Sequence, residues 1–168
     1  MTTKADAIAL VDREWSALAT HFASLDAAEL RRAVFGEGDG WTLGDMPAHF
    51  AFWWRMAARG ARYAAATRTA PDQSTSVRAF LGIEEHFDAL NAESFSNWRV
   101  HSAAERLSEM RAAHEDLDAA LRDLSDDLLL CDDPSTDGMR RYLWQPAVNH
   151  PRQHRPHIES ALKEGARA

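Results

Sequence analysis

Apolar residues recur at helical spacing along most of the chain. Ile8, Val11, Trp15, Leu18, Phe22 and Leu25 lie three or four apart, so a helix would gather them on one face. The spacing predicts a first helix that opens at a capping box from Thr3 to Asp6. There the hydroxyl and carboxylate satisfy free amides. Leu25-Asp26-Ala27-Ala28-Glu29-Leu30 predicts a short extra turn capped by Asp26. Gly36-Glu37-Gly38-Asp39-Gly40 then breaks the pattern, because glycine costs a helix about 1 kcal/mol per residue.

A second helix is expected from Trp41-Thr42-Leu43-Gly44-Asp45, with a capping box from Thr42 to Asp45, through Met46, His49, Phe50, Trp53 and Met56 to Ala66. Pro47 falls in its first turn, where a missing amide costs little. Thr67 to Ser76 is polar, contains Pro71 and reads as a loop. Phe80, Leu81, Ile83, Phe87 and Leu90 predict a less regular helix within residues 76–98. A further capping box, Ser102 to Glu105, opens a third long helix with Leu107, Met110, His114, Leu117, Leu121 and Leu124 on one face. Leu124-Ser125-Asp126-Asp127-Leu128-Leu129 is another short capped turn. Asp132 to Gly138 reads as a loop, Trp144 introduces a last helix over Pro146 to Lys163, and the tail from Gly165 reads as frayed.

The two halves of this pattern match. Each has a capped helix, a leucine with a short capped turn, a Gly/Asp loop, a tryptophan (Trp41 or Trp144) and a second helix with a histidine near its start, His49 or His150. Two such hairpins pack most simply as a four-helix bundle, with residues 67–102 as the crossover. The expected fold is therefore all-α, one domain over residues 1–168. Bundles of this kind build metal and cofactor sites from inward side chains on facing helices.

Composition narrows the function classes. The net charge is −7 and no basic stripe offsets it, which argues against nucleic acid as a partner. No apolar run approaches a membrane span, and the first residues lead straight into an amphipathic pattern without a signal peptide. Cys131 is alone, so no intrachain disulfide forms and the expected compartment is cytoplasmic.

The chemistry concentrates near the C-terminus. Asn149-His150-Pro151-Arg152-Gln153-His154-Arg155-Pro156-His157 carries three of the eight histidines. His150 and His154 are four apart and share a helix face, the spacing at which two imidazoles chelate one ion. The bland reading is a solvated helix end, and it gains force from Pro151 and Pro156, which fall inside the proposed helix. The duplication supplies a third ligand, so the expected metal site is His49, His150 and His154. The residues expected around it are Trp41, Trp53, Trp144 and His114. The last corresponds to Trp15 in the first half and reads as a hydrogen-bonded packing residue rather than a ligand. Trp15, Trp53 and Trp98 read as core or groove lining. The carboxylates lack the Glu-x-x-His spacing of a di-iron bundle, and there is no phosphate loop, GxSxG or HExxH motif.

The order of these motifs resembles the DinB-like superfamily of four-helix bundles, and within it the ClbS/DfsB family. The matching stretches are Trp41 to His49 with Trp53, Leu90-Asn91-Ala92, Arg111-Ala112-Ala113-His114, Leu124 to Leu128, and His150 to Pro156. The resemblance implies a His-triad site for a divalent metal (zinc, nickel or iron, with some members holding none) on His49, His150 and His154. The ClbS/DfsB family includes a self-protection protein that hydrolyses the cyclopropane of colibactin. The wider superfamily includes thiol-dependent transferases and a maleylpyruvate isomerase. Pro151 stands where the family usually has another residue. Two functions stay open: a metal-dependent hydrolase or transferase acting on a small electrophile, or a bundle that binds and sequesters a small molecule without chemistry. A homodimerisation module is the third, blander reading.

Overall fold

The computed structural model describes residues 3–35, 40–71, 87–130 and 140–165. Six α-helices appear among them: α1 (Lys4–Ala23), α2 (Met46–Thr67), α3 (Phe87–Trp98), α4 (Ala103–Asp123), α5 (Asp126–Leu129) and α6 (His150–Gly165). A 3-10 turn, Glu29–Arg31, follows α1, and a π-helical stretch, Arg140–Asn149, runs directly into α6. No β-strand occurs among the described residues; Ala33 and Thr42 form one isolated antiparallel bridge. The fold is all-α, as the periodicity predicts. No helix of the described residues is long and apolar enough to cross a membrane.

Two of the predicted capping boxes form. Thr3 and Asp6 bond reciprocally at the start of α1, and Ser102 and Glu105 do so at α4. Asp26 accepts from the amides of Ala28 and Glu29 while Glu29 accepts from that of Asp26, closing the short turn after α1. The third predicted box differs. Asp45 does accept from the Thr42 amide and hydroxyl, at 2.8 and 2.7 Å, but residues 42–45 form a turn and α2 begins at Met46. The other Asp45 oxygen takes a 2.7 Å bond from Arg106, and that long-range partner holds the turn out of the helix.

The four long helices enclose the core. Val11, Leu18 and Phe22 from α1, Phe50, Trp54, Ala57 and Ala61 from α2, and Met110, Leu117 and Leu121 from α4 form one buried cluster with Leu143, Ala147 and Ile158. Small residues on α2 let its neighbours approach closely. At Gly60 a Cβ would lie 3.0 Å from the Tyr142 carbonyl oxygen, so the π-helical stretch packs backbone to backbone on α2. Arg55 and Arg62 of α2 pair with Glu109 and Asp116 of α4 along the solvent side, where such pairs contribute at most about 1 kcal/mol each.

The path into α6 differs from the sequence expectation in a way that eases the conflict at Pro146 and Pro151, while Pro156 stays inside α6. The helix predicted from Pro146 begins earlier, at Arg140, with π geometry that gives way to α geometry at His150. Pro146 sits in the wide π turn and Pro151 is the second residue of α6. A proline clashes with the carbonyl four residues back only where α geometry brings that carbonyl close. The wider turn removes this conflict upstream of His150. Much of the predicted crossover (72–86), the glycine segment 36–39, the loop 131–139 and the last three residues lie outside the described residues.

Candidate metal centre

The N-terminal part of α2 and the first two turns of α6 face each other and bring three histidines together. His49 Nε2 lies 3.0 Å from His150 Nε2 and 3.2 Å from His154 Nε2, and the last two are 2.9 Å apart. His49 is buried; His150 and His154 are partly so. Hydrogen bonding alone cannot satisfy this triangle. Each Nε2 is either a donor or an acceptor, so among three mutually touching nitrogens at least one pair must be alike. A cation at the centre removes the conflict by taking all three lone pairs. The fit is close, since ligand nitrogens at Zn–N distances of about 2.0–2.1 Å in a tetrahedron stand about 3.3 Å apart. His49, His150 and His154 are also the one group of histidine, cysteine or carboxylate side chains among the described residues whose ligand atoms cluster this tightly. The buried triad could hold a metal ion.

The sequence profile of the DinB superfamily matches residues 10–158. The chain belongs to the DinB superfamily. Among solved structures it is similar to an uncharacterised protein from Escherichia coli UTI89, with a TM-score of 0.67 and 15% identity over 99% of this chain and 96% of that one. At that identity the likeness speaks for the shared fold. No curated protein matches.

The surroundings of this DinB triad keep its imidazoles neutral. Burial, and then the charges of the other two rings, hold His49 well below the usual 6.5. Burial and His154 push His150 down to about 3, and burial and His157 push His154 down to about 4. At neutral pH all three therefore offer lone pairs. With Nε2 as the ligand atom the ring proton sits on Nδ1, and each of the three Nδ1 atoms is buried without a partner among the described residues. The unfolded chain binds protons at these positions below about pH 6.5 while the folded chain does not. Stability of the metal-free protein is thus full above that pH and falls as pH drops through the range from 6.5 to about 3. Urea titrations of metal-free protein between pH 7 and 4 should show this decline. Replacing all three histidines by phenylalanine should flatten it, and an unchanged slope would mean the rings are not buried neutral.

Aromatic rings line the site. Trp41 meets His49 edge to face at 5.0 Å, Trp53 lies 5.5 Å from His150, and Phe50 touches all three rings at 5.8–5.9 Å. Phe35 bridges His154 and His157 at 5.4 and 5.3 Å. Beside His49, Phe95 and Trp98 of α3 complete a narrow crevice with Trp41, Asp45, Ala48 and Ser94. Trp53 donates to Asn91 at 3.1 Å, which ties α3 to α2 at its other end.

His114 pairs with Asp12 at 2.9 Å and stacks on Trp15 at 4.6 Å, as a packing histidine between α1 and α4. Trp144, like Trp41 and Phe35, packs against the main apolar cluster. The sequence places Phe50 on the apolar pattern of the second helix without marking it as a neighbour of the histidines, and it gives no sign of Phe35 or Phe95 at the site. Phe35 borders a glycine segment whose path no local pattern dictates.

Proposed function

We propose that the protein is a divalent-metal-dependent hydrolase or transferase acting on a small electrophilic molecule, in the manner of ClbS/DfsB-type self-protection. The convergence of three neutral imidazole nitrogens in a buried, aromatic-lined site carries this reading. His49, His150 and His154 would hold the ion, with zinc, nickel and iron as the candidates. Such an ion lowers the pKa of bound water, polarises a substrate oxygen or accepts a thiolate. The chain's own share is orientation and exclusion of water. Trp41, Trp53 and Phe35 offer ring faces and edges to a flat or apolar substrate body. Phe50 packs against all three histidine rings.

The alternative is a bundle that binds or sequesters a small molecule without changing it. It is favoured by the donor set: no carboxylate joins the cluster among the described residues, and the Asp45 carboxylate in the crevice beside His49 is taken up by Thr42 and Arg106. Metal analysis of protein purified without a polyhistidine tag, followed by mass spectrometry of a cyclopropane or epoxide probe after incubation, separates the readings. One equivalent of metal and a hydrolysed or thiol-substituted probe is the expected result. Probe retained intact by metal-loaded protein favours the binder. Protein that takes up no divalent metal sinks the catalytic reading.

A further inference from the structure

The helix that carries two of the three ligands is poorly braced by its own backbone. Pro151 and Pro156 both lie in α6, and neither can donate a helical hydrogen bond. The segment between them, which holds His154, therefore needs an external anchor. Glu14 is placed to provide one. It sits in the middle of α1 and is only 6% exposed. Its two oxygens are divided between two guanidinium groups of α6. Oε1 accepts from Arg152 Nε and Nη2 at 2.8 and 2.7 Å, and Oε2 accepts from Arg155 Nη2 at 3.0 Å.

The geometry points to Glu14 as the positioning residue of the metal centre: it clamps Arg152 and Arg155 and so sets the rotation at which α6 presents His150 and His154 to His49. This rests on the metal-site reading above. At 3.6 residues per turn, the mean direction of residues 152 and 155 is about 150° round the helix from that of residues 150 and 154. Holding the arginines against α1 therefore turns the histidines toward α2. One carboxylate bonded to two side chains three residues apart restrains both rotation and sliding, which a single ion pair does not. A burial purely for stability would be an odd use of this position. Both arginines are about half exposed, and ion pairs of this kind often add little net stability over an apolar replacement.

The test compares wild type, Glu14→Gln, the double variant Arg152→Gln/Arg155→Gln, and Leu117→Ala, a core deletion on α4 that lowers stability without touching the clamp. Two readouts are taken: nuclear Overhauser contacts between the imidazole protons of His49, His150 and His154 in metal-free protein, and Co2+ affinity with its visible spectrum. Glu14→Gln and the arginine double variant are expected to lose the ring contacts, shift the Co2+ spectrum and bind about 10–100-fold more weakly, the usual scale for a residue that orients metal ligands. Leu117→Ala should keep both. Should Glu14→Gln fail to fold, Arg152→Gln alone gives the same comparison. Ring contacts and affinity retained in the clamp variants overturn the assignment, as does equal loss in Leu117→Ala. A wild type with ring contacts but no Co2+ binding would remove the metal function, while the ring contacts still decide the role of Glu14.

Discussion

His49→Ala is expected to weaken Zn2+ and Co2+ binding by about 100–1000-fold. Structural zinc sites gain about 10–16 kcal/mol from roughly four ligands, so one imidazole accounts for about 3–4 kcal/mol of that sum. His49 is also the one member of the triad on α2, and without it the remaining pair sits on one helix with no facing ligand in the cluster among the described residues. The fall in folding stability should be far smaller. The lost ring contacts with Trp41 and Phe50 are offset by removal of a buried polar ring whose Nδ1 has no partner among the described residues. Competition titration against a chromophoric chelator measures the affinity, and urea unfolding of metal-free protein measures the stability. Wild-type affinity in His49→Ala would place any bound metal outside the triad.

Arg106→Met should cost about 3–5 kcal/mol of stability, the range for breaking a buried ion pair from one side. Arg106 lies across the junction of α3, α4 and the start of α2. Its Nη1 donates to the Gly44 carbonyl at 3.0 Å and to Asp45 at 2.7 Å, its Nε to the Trp98 carbonyl at 2.9 Å and its Nη2 to the Arg99 carbonyl at 3.0 Å. Both members of the Arg106–Asp45 pair are about nine-tenths shielded from solvent. The methionine would fill much of the space and leave the carboxylate and three carbonyls short of a donor. Because the clasp holds the end of α3, its loss should also free Trp98 and Phe95 from the crevice beside His49, visible as a red shift and quenching of tryptophan fluorescence before global unfolding. A loss below about 1 kcal/mol, the scale of an exposed pair, would mean that water reaches these groups and the clasp is not structural.

Arg106 shows where a linear reading stops. In sequence it is one more charged residue in the first turn of a well-capped helix, with nothing to distinguish it from Arg111 or Arg122. Its four partners come from two segments, the end of α3 and the turn before α2, and only packing brings the second of these to it. Glu14 gives the same lesson from the opposite side. It interrupts no periodicity, since the apolar stripe of α1 is complete without it, and its burial follows from α6 lying against α1. The histidine cluster was more accessible because two regularities reinforce each other: the four-residue spacing of His150 and His154, and the repeated hairpin pattern that sets His49 in the matching place. Pro151 argued against it locally. The π-helical stretch that absorbs the conflict packs closely on α2 through Tyr142 and Gly60, a contact between residues 82 positions apart in the chain.

The sequence by itself determined the all-α class, the positions of the long helices, two of the three predicted capping boxes and the identity of the three clustered histidines. These depend on spacing within one helix or on a repeat, and both survive in a linear string. Only the tertiary structure decided that the three Nε2 atoms meet within 3.2 Å, that α2 starts at Met46 rather than at Thr42, and that Asp12 is the hydrogen-bond partner of His114. Each of these turns on a partner from another helix. Burial, ring orientation and the choice between a cap and an ion pair are properties of surfaces in contact, and no local pattern encodes which surface arrives.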